Sequence, residues 1–236
     1  MLADWQVCGH DEGMVEPFRI HLGDRAPVQQ SQVTCGSTSL TVARMLVDPL
    51  FAREVVEGGA HGCDLPGGNT RDGRLAAIER TVMARTNSLV GPGGRWQLPW
   101  PQRLGTPPWG ARRELEDGAA DVGARYEVAW CRLGGEERLR RHHGEIRQRV
   151  REGRPAILYI GNRWLPRHVT LVIAPESGEG LAVYDPAVGR VQELPADAFA
   201  GRRLGMAGWD VPWCVVQPRP DQAGMTTASF PGRPVR

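Results

Sequence analysis

Three short apolar runs crowd into residues 156–185, and they limit the possible folds more than any other part of the chain. Ala156-Ile157-Leu158-Tyr159-Ile160, entered through Gly153-Arg154-Pro155, has the length and composition of a buried strand. His168-Val169-Thr170-Leu171-Val172-Ile173-Ala174 is rich in β-branched residues, Glu176-Ser177-Gly178-Glu179-Gly180 reads as a turn, and Leu181-Ala182-Val183-Tyr184-Asp185 runs back. These two runs are expected to form an antiparallel hairpin. With the turn centred between Glu176 and Ser177, the expected register sets His168 opposite Asp185, Thr170 opposite Val183 and Val172 opposite Leu181. Opposed residues hold their Cβ atoms about 4.5–5.5 Å apart, so Asp185 can accept a hydrogen bond from the His168 imidazole. A slip of one residue would put the two on opposite faces.

A second signal lies far upstream, in Gln29-Gln30-Ser31-Gln32-Val33-Thr34-Cys35-Gly36. Thr34 can cap a helix whose apolar positions Leu40, Ala43, Leu46 and Val47 recur at three-to-four spacing until Asp48-Pro49 ends it. Cys35 then sits in the first helical turn, where partial positive charge and free N–H groups favour thiolate over thiol. A nucleophilic thiol needs a base, a group to orient the base and donors for the oxyanion. His168 and Asp185 supply the first two. The side-chain amide of Gln29 and the backbone N–H of Cys35 supply the third, with Gln30 and Gln32 as alternative amides.

The remaining elements are read more coarsely. A short strand is expected over residues 18–22, helices over 50–58 and 74–85, and a short helix over 111–118. Residues 86–110 are too rich in Gly and Pro for regular structure and form a loop or groove wall, with Trp96, Trp100 and Trp109 pinning it or lining a cleft. A strand is expected over 125–130, an amphipathic helix over 136–152 and a closing strand over 208–216, with Trp164 or Trp209 near enough to shield the histidine. The organisation is an N-terminal arm (1–28), one catalytic domain (29–217) and a disordered tail (218–236).

Composition excludes several classes. A formal charge of +2, with arginines dispersed among acids, argues against a nucleic-acid partner. All 29 basic residues are arginine, as a GC-rich coding sequence would give. No apolar run is long enough to span a bilayer, and the first residues lack a signal peptide's basic start and apolar core. A cytoplasmic protein, or one exported without a cleavable signal, is expected. Five cysteines without a disulfide rhythm suit a reducing compartment. Cys8-Gly9-His10 and His61-Gly62-Cys63 are mirror-image pairs that together offer four zinc ligands, Cys8, His10, His61 and Cys63, at gaps tighter than zinc sites use. The thiol chemistry calls for no cofactor.

The order Gln29…Thr34-Cys35-Gly36, Gly153-Arg154-Pro155 before a strand, His168-Val169-Thr170-Leu171-Val172 and Tyr184-Asp185-Pro186 resembles the papain-like cysteine peptidases, most closely the bacterial double-glycine leader peptidase branch. Thr34, where that branch often has an acid, and Arg167, where it often has glycine, depart from the pattern. The resemblance implies an α+β fold with the nucleophile helix packed on a C-terminal antiparallel sheet. It also implies Cys35 as nucleophile, His168 as base and acid, Asp185 as orienter and Gln29 as oxyanion donor, acting on a peptide or protein substrate. The same scaffold serves deamidases and transglutaminase-like effector toxins, and a peptidase fold without activity would be a binding protein. Oligomeric state is not legible. The Gly-Gly pairs of the chain itself (Gly58-Gly59, Gly67-Gly68, Gly93-Gly94, Gly134-Gly135) raise self-cleavage as a minor reading.

Overall fold

Six strands hydrogen-bond into one antiparallel sheet in the order β1-β6-β2-β3-β4-β5: β1 Tyr126–Trp130, β2 Ala156–Gly161, β3 Pro166–Ile173, β4 Leu181–Asp185, β5 Arg190–Leu194 and β6 Val211–Pro218. The computed structural model describes residues 16–58, 70–175 and 178–220. Six α-helices accompany the sheet: α1 Cys35–Val47, α2 Pro49–Val56, α3 Arg71–Asn87, α4 Pro108–Asp117, α5 Glu136–Arg149 and α6 Ala196–Ala200. This is the α+β class the sequence implies, with the helix that begins at Cys35 packed against an antiparallel sheet.

Apolar side chains gather into two clusters, divided by the alternation along each strand. Val169, Leu171, Tyr184 and Cys214 join Leu40, Phe51, Ile78 and Leu115 from α1–α4. Leu158, Val172, Val183 and Val215 join Leu139 and Ile146 of α5 and Phe199 of α6. A sheet covered on both faces cannot alternate apolar with polar, and β2 and β4 are accordingly buried at every position.

The hairpin forms, but its register differs from the expected one by two residues. Leu171 opposes Tyr184, Val172 opposes Val183 and Ile173 opposes Ala182. A shift of two preserves the face of every side chain, so His168 and Asp185 are diagonal neighbours rather than opposed ones. The cause is the turn, which lies further along the chain than the centre assumed from the Glu and Gly residues.

Other expectations change as well. Residues 18–22 form no strand. That arm is extended without ladder pairing, turns at His21–Asp24, and follows the edge of β5 through Gly23 N–H to Val191 O at 3.0 Å and Ala26 N–H to Gly189 O at 2.9 Å. It also buries Ile20 in the core. Strand β5 and helix α6 went unpredicted because β5 carries only Val191 and Leu194 as apolar residues and α6 is a single turn longer than four residues. Helix α3 starts earlier than expected, since Thr70 caps it by accepting from Gly73 N–H at 3.2 Å. Helix α4 begins at Pro108, inside the segment read as loop, because proline is preorganised for a first helical turn. Residues 221–236 of the expected tail lie outside the described residues.

The Tyr184 hydroxyl donates to Pro27 O, tying the arm to β4 in a buried setting. Tyr184→Phe is expected to lower stability by about 1 kcal/mol, the worth of one such hydrogen bond, in urea unfolding. Hydrogen exchange in the same variant should rise at Gly23 and Ala26 before it rises in β2.

Candidate active site

The Cys35 end of α1 is built by a tight turn rather than by a side-chain cap. Thr34 occupies the capping position, yet its hydroxyl turns back to donate to Ser31 O at 2.9 Å and accept from Ser31 N–H at 3.2 Å. The expected Thr34 cap is therefore absent, and the first N–H groups of the helix meet no side-chain acceptor from it. Helix α1 is buried all round its first nine residues, polar ones included, instead of on one apolar stripe. Thr41 donates to Ser37 O at 2.9 Å, and the one proton of the Thr38 hydroxyl lies between Thr34 O at 2.9 Å and the shorter contact to Glu79 Oε1 at 2.7 Å.

Small residues let the first turn approach its neighbours. A methyl group at Gly36 would stand 2.7 Å from both Cβ and Oγ1 of Thr106, a buried residue whose carbonyl accepts from the Tyr159 hydroxyl at 3.0 Å. Glycine after the cysteine is thus required by packing, which sequence reasoning took only as a family mark.

His168 and Asp185 meet as expected, through the diagonal geometry. The His168 Nε2 lies 2.7 Å from Asp185 Oδ1, and both side chains are almost wholly buried, at 5% and 1% exposure. Asp185 Oδ1 also accepts from Ala187 N–H at 2.9 Å, which fixes the carboxylate. With Nε2 engaged, Nδ1 is the ring nitrogen left for a second partner, and the Cys35 thiol is one of the groups that raise the imidazole pKa. Burial by itself would lower the His168 pKa, but the hydrogen bonds to Asp185 and Cys35 and their charges outweigh it, and the imidazole is raised to about 9. Of the other described thiols, burial pushes Cys131 up to about 12 and Cys214 higher still, which leaves both protonated.

Gln29 is fixed by two hydrogen bonds. Its N–H donates to Pro186 O at 2.9 Å, next to Asp185, and its Nε2 donates to Ser31 O at 2.9 Å, leaving the second amide N–H uncommitted. Its Oε1 is buried without a hydrogen-bond partner. Gln30 Nε2 is spent on Val28 O at 2.8 Å, and Gln32 is exposed.

Sequence reasoning missed one residue beside this loop. Glu79 of α3 is 1% exposed and accepts from Gln30 N–H at 3.3 and 3.2 Å and from the Thr38 hydroxyl at 2.7 Å. Burial raises its pKa above the ordinary carboxylate value, opposed by hydrogen bonds from Thr38, Thr34 and Gln30 and by the charge of Arg80. The available signal was periodicity: Glu79 sits on the face of Leu75, Ile78 and Val82, where an acid is out of place.

The segment read as a groove wall is ordered by two buried amides. Gln97 Nε2 donates to Arg85, Thr86 and Ser88 carbonyls at 3.0 Å each, and Asn87 Nδ2 donates to Gly105 O at 2.8 Å. Trp100 and Trp109 pack edge to face at 5.3 Å, while Trp96 is exposed. Trp164 is exposed against Arg163 and Trp209 packs on the cluster of α5 and α6, so neither covers the buried His168. The zinc candidates Cys8, His10, His61 and Cys63 lie outside the described residues, and the described residues hold no cluster of three or more metal-ligating side chains. No described helix is long and apolar enough to cross a membrane.

No protein-family model matches the sequence, and no curated protein matches it. Among solved structures, the chain is similar to the crystal structure of the Pseudomonas avirulence protein AvrPphB, at 12% identity and a TM-score of 0.43, over 78% of this chain and 90% of that one.

Two outcomes are expected. His168 holds its proton more tightly folded than unfolded, so the stability it contributes is full below pH 6.5 and is lost as pH rises through about 9. Thermal melts of the wild type should therefore fall more steeply across that window than those of His168→Gln. Gly36→Ala should cost about 1–3 kcal/mol in urea unfolding through overpacking against Thr106, and Thr106→Ala, which removes the close Oγ1, should recover part of it.

Proposed function

We propose that this chain is a papain-like cysteine peptidase that cleaves a peptide or isopeptide bond through a thioester on Cys35. The observation that supports the reading is the buried His168–Asp185 hydrogen bond at the start of β3 and the end of β4, with the Cys35 thiol at the start of α1 among the groups that act on the same imidazole. A histidine whose far nitrogen is held by a buried carboxylate is fixed in ring orientation and favours its charged form, which suits a thiolate–imidazolium pair.

The steps follow from that arrangement. The Cys35 proton passes to His168, and the thiolate attacks the substrate carbonyl carbon, forming a C–S bond and placing negative charge on the carbonyl oxygen. The backbone N–H of Cys35 and the uncommitted Nε2 proton of Gln29 stabilise that oxygen. His168 returns the proton to the leaving nitrogen as the C–N bond breaks, which leaves a thioester. Water then attacks the thioester with His168 as base, releasing the acid product and restoring the thiol. Asp185 touches no reacting atom and acts by orienting the ring.

Acylation by p-nitrophenyl acetate, followed by p-nitrophenolate release and by the intact mass of the acetylated protein, tests the assignment. Cys35→Ala should abolish acylation, and His168→Ala should lower it by roughly 10²–10⁴-fold, the worth of a general base. Asp185→Ala should retain more, losing up to about 10²-fold as a positioning defect. Acetylation of Cys131 or Cys214 in preference to Cys35, or full rates in all three variants, would remove the reading.

A further inference from the structure

Glu79 has a second-order connection to the chemistry that its burial makes specific. A carboxylate removed from water costs several kcal/mol unless donors meet it, and a residue that only fills space in α3 would not need to be an acid. The donors hydrogen-bonded to Glu79 come from the segment around the nucleophile: Gln30 N–H, and the Thr38 hydroxyl one turn into α1. The Gln29–Gln30 peptide is thereby held from both sides, by Glu79 through the Gln30 N–H and by Pro186 O through the Gln29 N–H.

We infer that Glu79 is a positioning residue that holds the oxyanion donors, Gln29 and the first turn of α1, in register with each other. It spans the two components of the oxyanion site from outside that site, touching neither the substrate carbonyl nor His168. Without it the Gln30 N–H and the Thr38 hydroxyl lose a shared acceptor, and the Gln29 loop keeps its ties to the end of β4 through Pro186 and Tyr184 but loses the one that joins it to α1 and α3. The inference rests on the proposed thioester chemistry and adds a residue to it.

Two reactions of one thiol isolate this role. Alkylation by iodoacetamide forms a C–S bond and expels iodide in one step, so no carbonyl oxygen gains charge. Acylation by p-nitrophenyl acetate passes through a tetrahedral oxyanion. Glu79→Leu should lower the acylation rate about tenfold or more relative to alkylation of the same sample, and Glu79→Gln, which keeps one acceptor oxygen, should lose less. Both rates are read on the Cys35 peptide by mass, at a temperature where thermal melts show each variant fully folded, because an unfolded chain is alkylated without being acylated in the same way. A wild-type ratio in both variants, or a parallel fall of both rates, overturns the inference. Gln29→Ala in the same two assays separates the layers. If it lowers the ratio while the Glu79 variants do not, only the role of Glu79 fails. If Gln29→Ala leaves the ratio unchanged, the assignment of Gln29 as donor fails and the inference falls with it.

Discussion

The hydrogen bond between His168 and Asp185, made where water scarcely reaches, sets conditions that the surrounding structure must meet. A carboxyl group at 1% exposure needs hydrogen-bond partners, and Asp185 has the imidazole and the Ala187 N–H. The imidazole in turn needs Asp185 at its far nitrogen to stay oriented toward Cys35. The turn after β4 is therefore fixed, and because Gln29 N–H donates to Pro186 O, the loop that leads into the nucleophile helix is anchored to the same turn. His168, Asp185 and the Gln29 loop are parts of one hydrogen-bonded unit.

The sheet supplies rigidity to that unit. Covered by α1–α4 on one face and by α5 and α6 on the other, β3 and β4 are held by packing that tolerates little displacement. Helix α1 lies against β3, with the Ser39 hydroxyl donating to Val169 O at 3.4 Å, so the thiol and the imidazole are carried by neighbouring rigid elements. Close approach at the helix start is obtained with Gly36, which admits the Thr106 side chain where any larger residue would push the nucleophile away. The same crowding buries the polar residues of α1, where Thr41 and Ser39 donate to backbone carbonyls and Thr38 to Glu79, while Ser37 Oγ is left without a partner.

Much of this was readable in the residues, for physical reasons that differ from element to element. The apolar runs of β2, β3 and β4 announce themselves because a doubly covered sheet demands continuous burial. Asp48-Pro49 marks the end of α1 because proline removes a donor and Asp48 caps α2, accepting from Phe51 N–H at 3.0 Å. The arm at 18–22, by contrast, has strand-like residues without a ladder, since its pairing to β5 is intermittent and irregular. Strand β5 was missed because partial exposure at one edge leaves too few apolar residues to show a period. The hairpin register was misjudged by two because a glycine-rich turn admits several centres, and only the packing of the strands on both faces selects one.

The sequence by itself determined which chemistry is available: a thiol opening a helix, a histidine opening a strand, an aspartate closing the next and a glutamine before the thiol. Those identities follow from local patterns of cap, period and turn, which act over a few residues. Only the tertiary structure decided that His168 and Asp185 meet diagonally, that Gly36 is dictated by Thr106, and that an acid on the apolar face of α3 belongs to the loop of Gln29. Each of these is a contact between segments distant in the chain, fixed by which surfaces exclude water together.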